Sequence, residues 1–461
     1  MSPRALVPAL ALAIGCSSQP EPAEPARPSF LVVVIESLDA ATIAALRQDP
    51  DPAPTIARLA REGAFFEQAY AQAGWTLPGL ASLLTGRYPF LGDKGSAAAA
   101  LKAVGSPTLP EVLGHYDYST AAFWGATLAC TFGSELPFQH RSPERCGSSR
   151  LPYDSAMGDW IDAGVQAPFF ALMHNIDLHT PEPSAPAETL HRFTNPHPAC
   201  PGEGTGFVYE QLEPEMGAQA AAQHVVGHYR GQLAFYDQAL KRMLERLEDA
   251  GLMEQTVVVI TTNHGQDLFQ HICFDHGALY DSVLHIPLIW WEPGLQAREI
   301  RSVVQTIDIA PSILDRAEIP HSSLDGQSLL PLLGSDEGAY EPRPVLSLSK
   351  GRSASMRTPE RKLIASQGLR LEGCAAVRTP PPKHSDGVHY ELYDLQADPG
   401  ETVDLFEQQR EEAQDMLRAL ESWLEGRRPA ADDAPPPISE RERRTLQERG
   451  YWDLGSPDEE G

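Results

Sequence analysis

Four polar residues stand where apolar runs of this chain end or where a helix begins, and their types suit one divalent cation. Glu36 follows the apolar run 30–35, Asn263 and His264 follow the run 256–262, and Thr76 lies just before Pro78, close to the start of a helix-like stretch. A carboxylate, a hydroxyl, an amide oxygen and an imidazole form a mixed ligand set: the oxygens favour Ca²⁺, Mg²⁺ or Mn²⁺, and the imidazole widens the choice to Zn²⁺. Thr76 gives the cation a purpose. A free threonine hydroxyl is a poor nucleophile at neutral pH, and coordination would lower its pKa and aim the oxygen. The N-terminus of a helix adds free N–H groups that favour an anion beside it. A second set of polar residues follows the run 168–174, which leads to Asp177 and His179, while His271 and His276 lie a short way beyond His264. Taken singly, each has a plainer reading: a strand-end Glu as a cap, Asn-His-Gly as a turn, the histidines as surface residues.

The elements that must position these side chains follow from the spacing of apolar residues. The runs 30–35, 119–124, 168–174, 256–262 and 286–291 are short, apolar and β-branched or aromatic, as buried parallel strands are. Helical stretches lie between them, the clearest over 229–250. Alternation of this kind predicts an α/β fold with a large, mostly parallel sheet sandwiched by helices, whose ligands bind beyond the carboxyl ends of the strands. From about residue 340 the pattern changes to short strands near 345–348, 362–365 and 391–393 and a helix over 408–425, a small C-terminal sheet-and-helix subdomain. The expected organisation is a signal peptide over 1–15, a disordered tether over 16–28, a catalytic domain over 29–338, the subdomain over 339–427 and a polar acidic tail over 428–461.

Charge and cysteines narrow the function. The 461 residues carry a formal net charge of −27, which argues against nucleic acid as a partner and against general adhesion to anionic lipid. An anionic substrate stays open, because one bound cation reverses the field inside a pocket. Arg4, the short apolar run 5–14 and Ala13-Ile14-Gly15-Cys16 resemble a bacterial lipoprotein export signal with Cys16 as the lipidated residue. The expected location is therefore the bacterial cell envelope, with the membrane reached only through that lipid. Of the five remaining cysteines at least one stays unpaired; Cys130–Cys146 is the pairing with the shortest loop considered.

Longer stretches carry a resemblance to the sulfatase family of the alkaline phosphatase superfamily. Phe30-Leu-Val-Val-Val-Ile-Glu-Ser-Leu38 resembles its opening strand and metal-binding acid, and Thr76-Leu-Pro-Gly-Leu-Ala-Ser-Leu-Leu-Thr-Gly-Arg-Tyr-Pro89 its nucleophile motif. The stretch 168–181 is similar to the strand that delivers an active-site His, 256–287 to the second metal motif, and 390–405 to the subdomain signature. The resemblance implies an alkaline-phosphatase-like fold, metal ligation by Glu36, Thr76, Asn263 and His264, Thr76 as nucleophile, and His179 and His276 as groups at the transferred or leaving group. His271 and Asp177 would contact substrate.

Departures from the family pattern shape the functional expectation. The family's Cys or Ser, which becomes formylglycine, is here Thr76, which cannot form that aldehyde. Leu80 replaces the motif's Arg, Asn263 an Asp, Gln266 a Glu, and Phe123-Trp124-Gly125 stands where Lys-Trp-His is usual. The expectation is a metal-dependent hydrolase or transferase acting on a sulfate or phosphate ester, phosphate ahead of sulfate, with Thr76 attacking in line. The alternative is a catalytically impaired relative that binds an envelope ligand or partner in the old pocket.

Overall fold

The computed structural model describes residues 27–426 except 48, 50, 90–106, 125–135, 143–152, 177, 180–184, 196–208, 272–274, 322–323, 335–336, 350–352 and 368–386. Asp177, Cys16 with the export signal, the tail over 428–461 and the Cys130–Cys146 pairing lie outside the described residues.

A nine-stranded sheet forms the centre, with strands β1 (Ser29–Ile35), β2 (Ala64–Tyr70), β3 (Ser119–Trp124), β4 (His140–Ser142), β5 (Phe169–Asn175), β6 (Thr256–Thr261), β7 (His285–Trp291), β8 (Arg298–Ile300) and β9 (Val304–Gln305). The order is β4-β3-β5-β1-β6-β7-β2-β8, with β9 also on β2. From β4 to β6 every pairing is parallel; β7 runs antiparallel to both β6 and β2. All seven residues of β1 and of β5 are buried, as the unbroken apolar runs require of strands covered on both faces. Alternation along each strand splits the core in two. Phe30, Val32, Val34, Ala122, Trp124, Phe170 and Leu172 face the helix Thr76–Thr85, and Leu31, Val33, Ile35, Phe123 and Ala171 face the long helix Ala218–Asp249. That helix begins at Ala218, well before the stretch the spacing marks, because its first turns pack on Tyr209 and Leu212.

A second, antiparallel sheet follows, with order β10 (Val345–Ser349), β11 (Ser353–Arg357), β12 (Arg361–Ser366) and β13 (His389–Asp394), covered by the helix Arg410–Glu425. Strand β11 carries little apolar signal in Ser-Ala-Ser-Met-Arg, yet all five residues are buried. The small sheet is fastened to the large one. Leu348 N–H donates to the Gln72 carbonyl at 2.9 Å and Ser347 Oγ to the Ala71 carbonyl at 2.6 Å, which grips the segment leading to Thr76. Among the described residues no helix is long and apolar enough to cross a membrane.

Candidate active site

Glu36 is the first residue past β1. Its N–H donates to the Asn175 carbonyl at 2.8 Å, so the strand ladder continues one step and fixes the side chain on the face of Val32 and Val34. Ser37 then takes φ of 64°, a costly conformation for a non-glycine residue, and Tyr229 clamps it by donating to the Ser37 carbonyl at 2.9 Å. On the neighbouring strand, Thr262 Oγ donates to the His264 carbonyl at 2.6 Å and Gly265 N–H to the Val283 carbonyl at 2.7 Å, pinning the Asn263–Gly265 turn.

Thr76 is the first residue of its helix. Pro78 sits in the first turn, where a missing N–H costs no helical bond. Two glycines let this helix and the segment before it approach their neighbours closely. A Cβ on Gly79 would lie 2.4 Å from the Asn263 carbonyl oxygen, and one on Gly74 2.6 Å from that of Ala278. Gly79→Ala is therefore expected to push the helix off β6, lower stability by about 1–3 kcal/mol and weaken the site more than the fold. A thermal melt beside an activity assay checks this; unchanged values in both would contradict the packing argument.

The result is a buried cluster. Thr76 Oγ donates a short hydrogen bond to Glu36 Oε1, and His264 Nε2 lies 3.4 Å from Thr76 Oγ and 3.5 Å from Glu36 Oε1. His264 Nδ1 is 2.8 Å from the Gly265 carbonyl, which can only accept, so Nδ1 carries a proton and Nε2 faces the cluster. The His276 ring stacks on His264 at 4.6 Å and meets His179 edge-on at 4.8 Å, which extends the cluster by two imidazoles. Asn263 is fully buried beside His264.

His271 makes other contacts. Its Nε2 donates to the Gly400 carbonyl at 2.9 Å, its Nδ1 is 3.5 Å from Asp267, and its ring stacks on Tyr280 at 4.2 Å. Leu80 is fully buried in the core, so the motif's Arg position points away from water. Trp124 and Phe123 fill the two core layers.

His174 joins the cluster, although the pattern of polar residues at the ends of apolar runs does not mark it. It pairs in register with Val34, and its Nε2 lies 3.5 Å from Glu36 Oε2. The available signal was a histidine inside an otherwise apolar strand. Burial would raise the Glu36 carboxyl, but its hydrogen bond with His264 and the potential of His174, His179 and His264 outweigh this and bring it down to about 2. Burial takes His174 the other way, down to about 4, with Glu36 only partly countering. Near neutral pH an anionic carboxylate thus faces a neutral imidazole.

Burial also holds His228 down to about 4 and His285 below its ordinary value, while hydrogen bonding to Asp267 raises His271 against its burial. Between about pH 6.5 and 4 the unfolded chain takes up protons at His174, His228 and His285 that the folded chain refuses, so stability falls as pH falls through that window. His174 alone, moved from 6.5 to about 4, is worth roughly 3 kcal/mol. A melting temperature lower at pH 4.5 than at pH 7 is expected, and a flat profile would refute it.

The donor set fits a cation. Glu36 is fully buried, its Oε2 accepts no hydrogen bond, and none of its contacts among the described residues is with Lys or Arg. Among the described residues no three His, Cys, Asp or Glu are arranged to hold an ion. The set is instead mixed, one carboxylate and one imidazole with a hydroxyl, beside the amide of Asn263.

Residues 28–319 match the family model described as Sulfatase. This chain belongs to the sulfatase family. Family enzymes generally bind a divalent metal ion, and Glu36, Thr76 and His264 are the residues here that fit one. Arylsulfatase K of Gallus gallus is 30% identical over 200 residues, covering 42% of this chain and 36% of that protein, and arylsulfatase K of Mus musculus is 30% identical over 192 residues, covering 38% and 32%. The chain thus matches about a third of the length of these relatives. Among solved structures, the phosphonate monoester hydrolase of Agrobacterium radiobacter has a TM-score of 0.66 at 18% identity, covering 90% of this chain and all of that one. A 2-O GAG sulfatase has a TM-score of 0.63 at 19% identity, covering 87% and 93%. These likenesses establish the mostly parallel sheet with its small antiparallel companion as the sulfatase, alkaline-phosphatase-like fold.

Proposed function

We propose that the protein is a cation-dependent hydrolase or transferase of a phosphate or sulfate ester, with Thr76 as nucleophile. The observation that carries this reading is the convergence of Thr76 Oγ, Glu36 Oε1 and His264 Nε2, on three buried residues, within 3.5 Å. When bound, the cation would acidify the Thr76 hydroxyl and offset charge on the transferred group. Glu36 Oε1 accepts the Thr76 hydrogen bond and aims the oxygen. Thr76 Oγ passes its proton along its hydrogen bond to Glu36 Oε1, attacks phosphorus or sulfur in line, and forms an ester as the bond to the leaving oxygen breaks. His276 or His179 protonates that oxygen. The same imidazole then takes a proton from water, or from an acceptor alcohol, whose oxygen displaces Thr76; Thr76 regains its proton from Glu36, which restores the enzyme.

Phosphate stands ahead of sulfate because Thr76 cannot supply an aldehyde hydrate and Leu80 is in the core. The names of the curated relatives favour sulfate. A panel of nitrophenyl phosphate, phosphodiester, phosphonate and sulfate esters with Mn²⁺, Zn²⁺, Ca²⁺ or Mg²⁺ decides. Cation-dependent turnover of a phosphoester is expected. No turnover with any pair would favour a second reading, a ligand-binding relative, for which the neutral Asn263 in a buried ligand set is the observation. Export and anchoring through Cys16, with the expected division of the chain, belong to the same proposal and rest on the sequence; globomycin-sensitive processing of the full chain would test the anchor.

A further inference from the structure

His174 is used by no step above, and its surroundings ask for a reason. The ring is fully buried, and among the described residues neither nitrogen has a hydrogen-bond partner. Leaving such a group in the interior costs on the order of 1–3 kcal/mol, and an apolar side chain among Trp124, Val34 and Leu172 would avoid it. Glu36 Oε2 lies 3.5 Å from Nε2, and that oxygen also accepts no hydrogen bond among the described residues. The two carboxylate oxygens thus have separate company among the described residues: Oε1 meets Thr76 and His264, and Oε2 meets His174.

We infer that His174 is a positioning residue for Glu36: its Nε2–H holds Oε2 and so presents Oε1 to the cation and to Thr76. The inference rests on the cation reading above. It has a geometric basis in the backbone. β5 lies beside β1 in parallel register, with His174 opposite Val34 and Asn175 opposite Ile35, and the Glu36 N–H bonds to the Asn175 carbonyl. Imidazole and carboxylate are therefore set by the same stretch of sheet, and a small turn of the Glu36 side chain closes the contact. Fixing the carboxylate lowers the entropy lost when an ion binds, the effect by which groups behind metal ligands raise affinity. It would also leave Oε1, the oxygen that Thr76 Oγ already meets, as the one offered to an ion.

The test uses chelator-stripped full-length protein and thermal-shift titration with Mn²⁺, Zn²⁺ and Ca²⁺ separately. His174→Met removes the donor at similar volume, and His174→Gln keeps an N–H near the position of Nε2. Wild type is expected to bind at least one ion, His174→Met to lose about 10- to 100-fold in affinity for it, and His174→Gln to recover most of that loss. The ion-free His174→Met protein should melt no lower than wild type, which separates positioning from a structural role. Equal ion affinity in wild type and His174→Met would overturn the inference alone; no ion binding by wild type would overturn it together with the cation reading; and a loss shared equally by His174→Gln would overturn the hydrogen-bond role.

Discussion

Thr76→Ala is expected to lower kcat/KM for the best ester of the panel by at least about 10⁴-fold, equivalent to some 5 kcal/mol of transition-state stabilisation. The side chain is almost fully buried and its hydroxyl is bonded to Glu36, so alanine removes the reacting oxygen and leaves no replacement in the pocket. The fold should survive. The substitution deletes a buried hydroxyl and methyl, removes the donor to Glu36 Oε1, and is expected to lower stability by about 1–3 kcal/mol. Thr76→Ser keeps the oxygen but frees its rotamer, and should retain activity within about tenfold. Steady-state kinetics on the three proteins check this, with melting curves to confirm folding. Full activity in Thr76→Ala would remove Thr76 from the chemistry.

The second large effect is on stability and lies in the small sheet. Lys362 is completely buried, with Nζ 2.6 Å from Asp281 Oδ1 and 2.7 Å from Glu401 Oε1. Arg357 adds a contact to Asp281 Oδ2 at 3.1 Å, and the Asp281 N–H donates to Glu401 Oε2. Burial would raise Asp281, but Lys362 and Arg357 hold it well below the ordinary carboxylate range. Lys362→Met leaves Glu401 buried without its cation and Asp281 with one cation instead of two. A loss of about 3–5 kcal/mol is expected, because an orphaned buried charge costs more than the pair contributed. Adding Glu401→Gln to Lys362→Met should recover part of it. Activity should fall too. Asp281 opens the short helix Asp281–Leu284 that follows His276, and Ser349 Oγ donates to the Gly277 carbonyl in the same loop. Denaturant unfolding of the two variants, beside kinetics, reads both effects; a Lys362→Met protein as stable as wild type would show that this network does not fasten the small sheet.

Much of the scaffold is legible in the chain because two-sided burial writes continuous apolar runs, and the polar residue that ends such a run stands out. Glu36, Asn263 and His264 are visible for that reason, and Thr76 because Pro78 marks a helix start. What the chain does not make legible depends on partners far away in sequence. β11 looks like a loop because Ser353 and Ser355 are buried by packing rather than by their own polarity. The antiparallel direction of β7 is invisible, since a buried run reads the same both ways. His271 and His276 are alike in sequence, and only the fold separates them, one against Gly400 and Tyr280, the other on the His264 ring. His174 lies in a run whose apolar neighbours mask it, and its meaning depends on the β1–β5 register.

The most direct test is to trap the covalent intermediate. Full-length protein loaded with the activating cation would be mixed with its best nitrophenyl ester, quenched in acid within one turnover, digested and analysed by mass spectrometry. A phosphate or sulfate group on Thr76, absent from Thr76→Ala, is the expected result. Rapid turnover with unmodified Thr76 in every quenched sample, and an ester on some other side chain, would contradict the account.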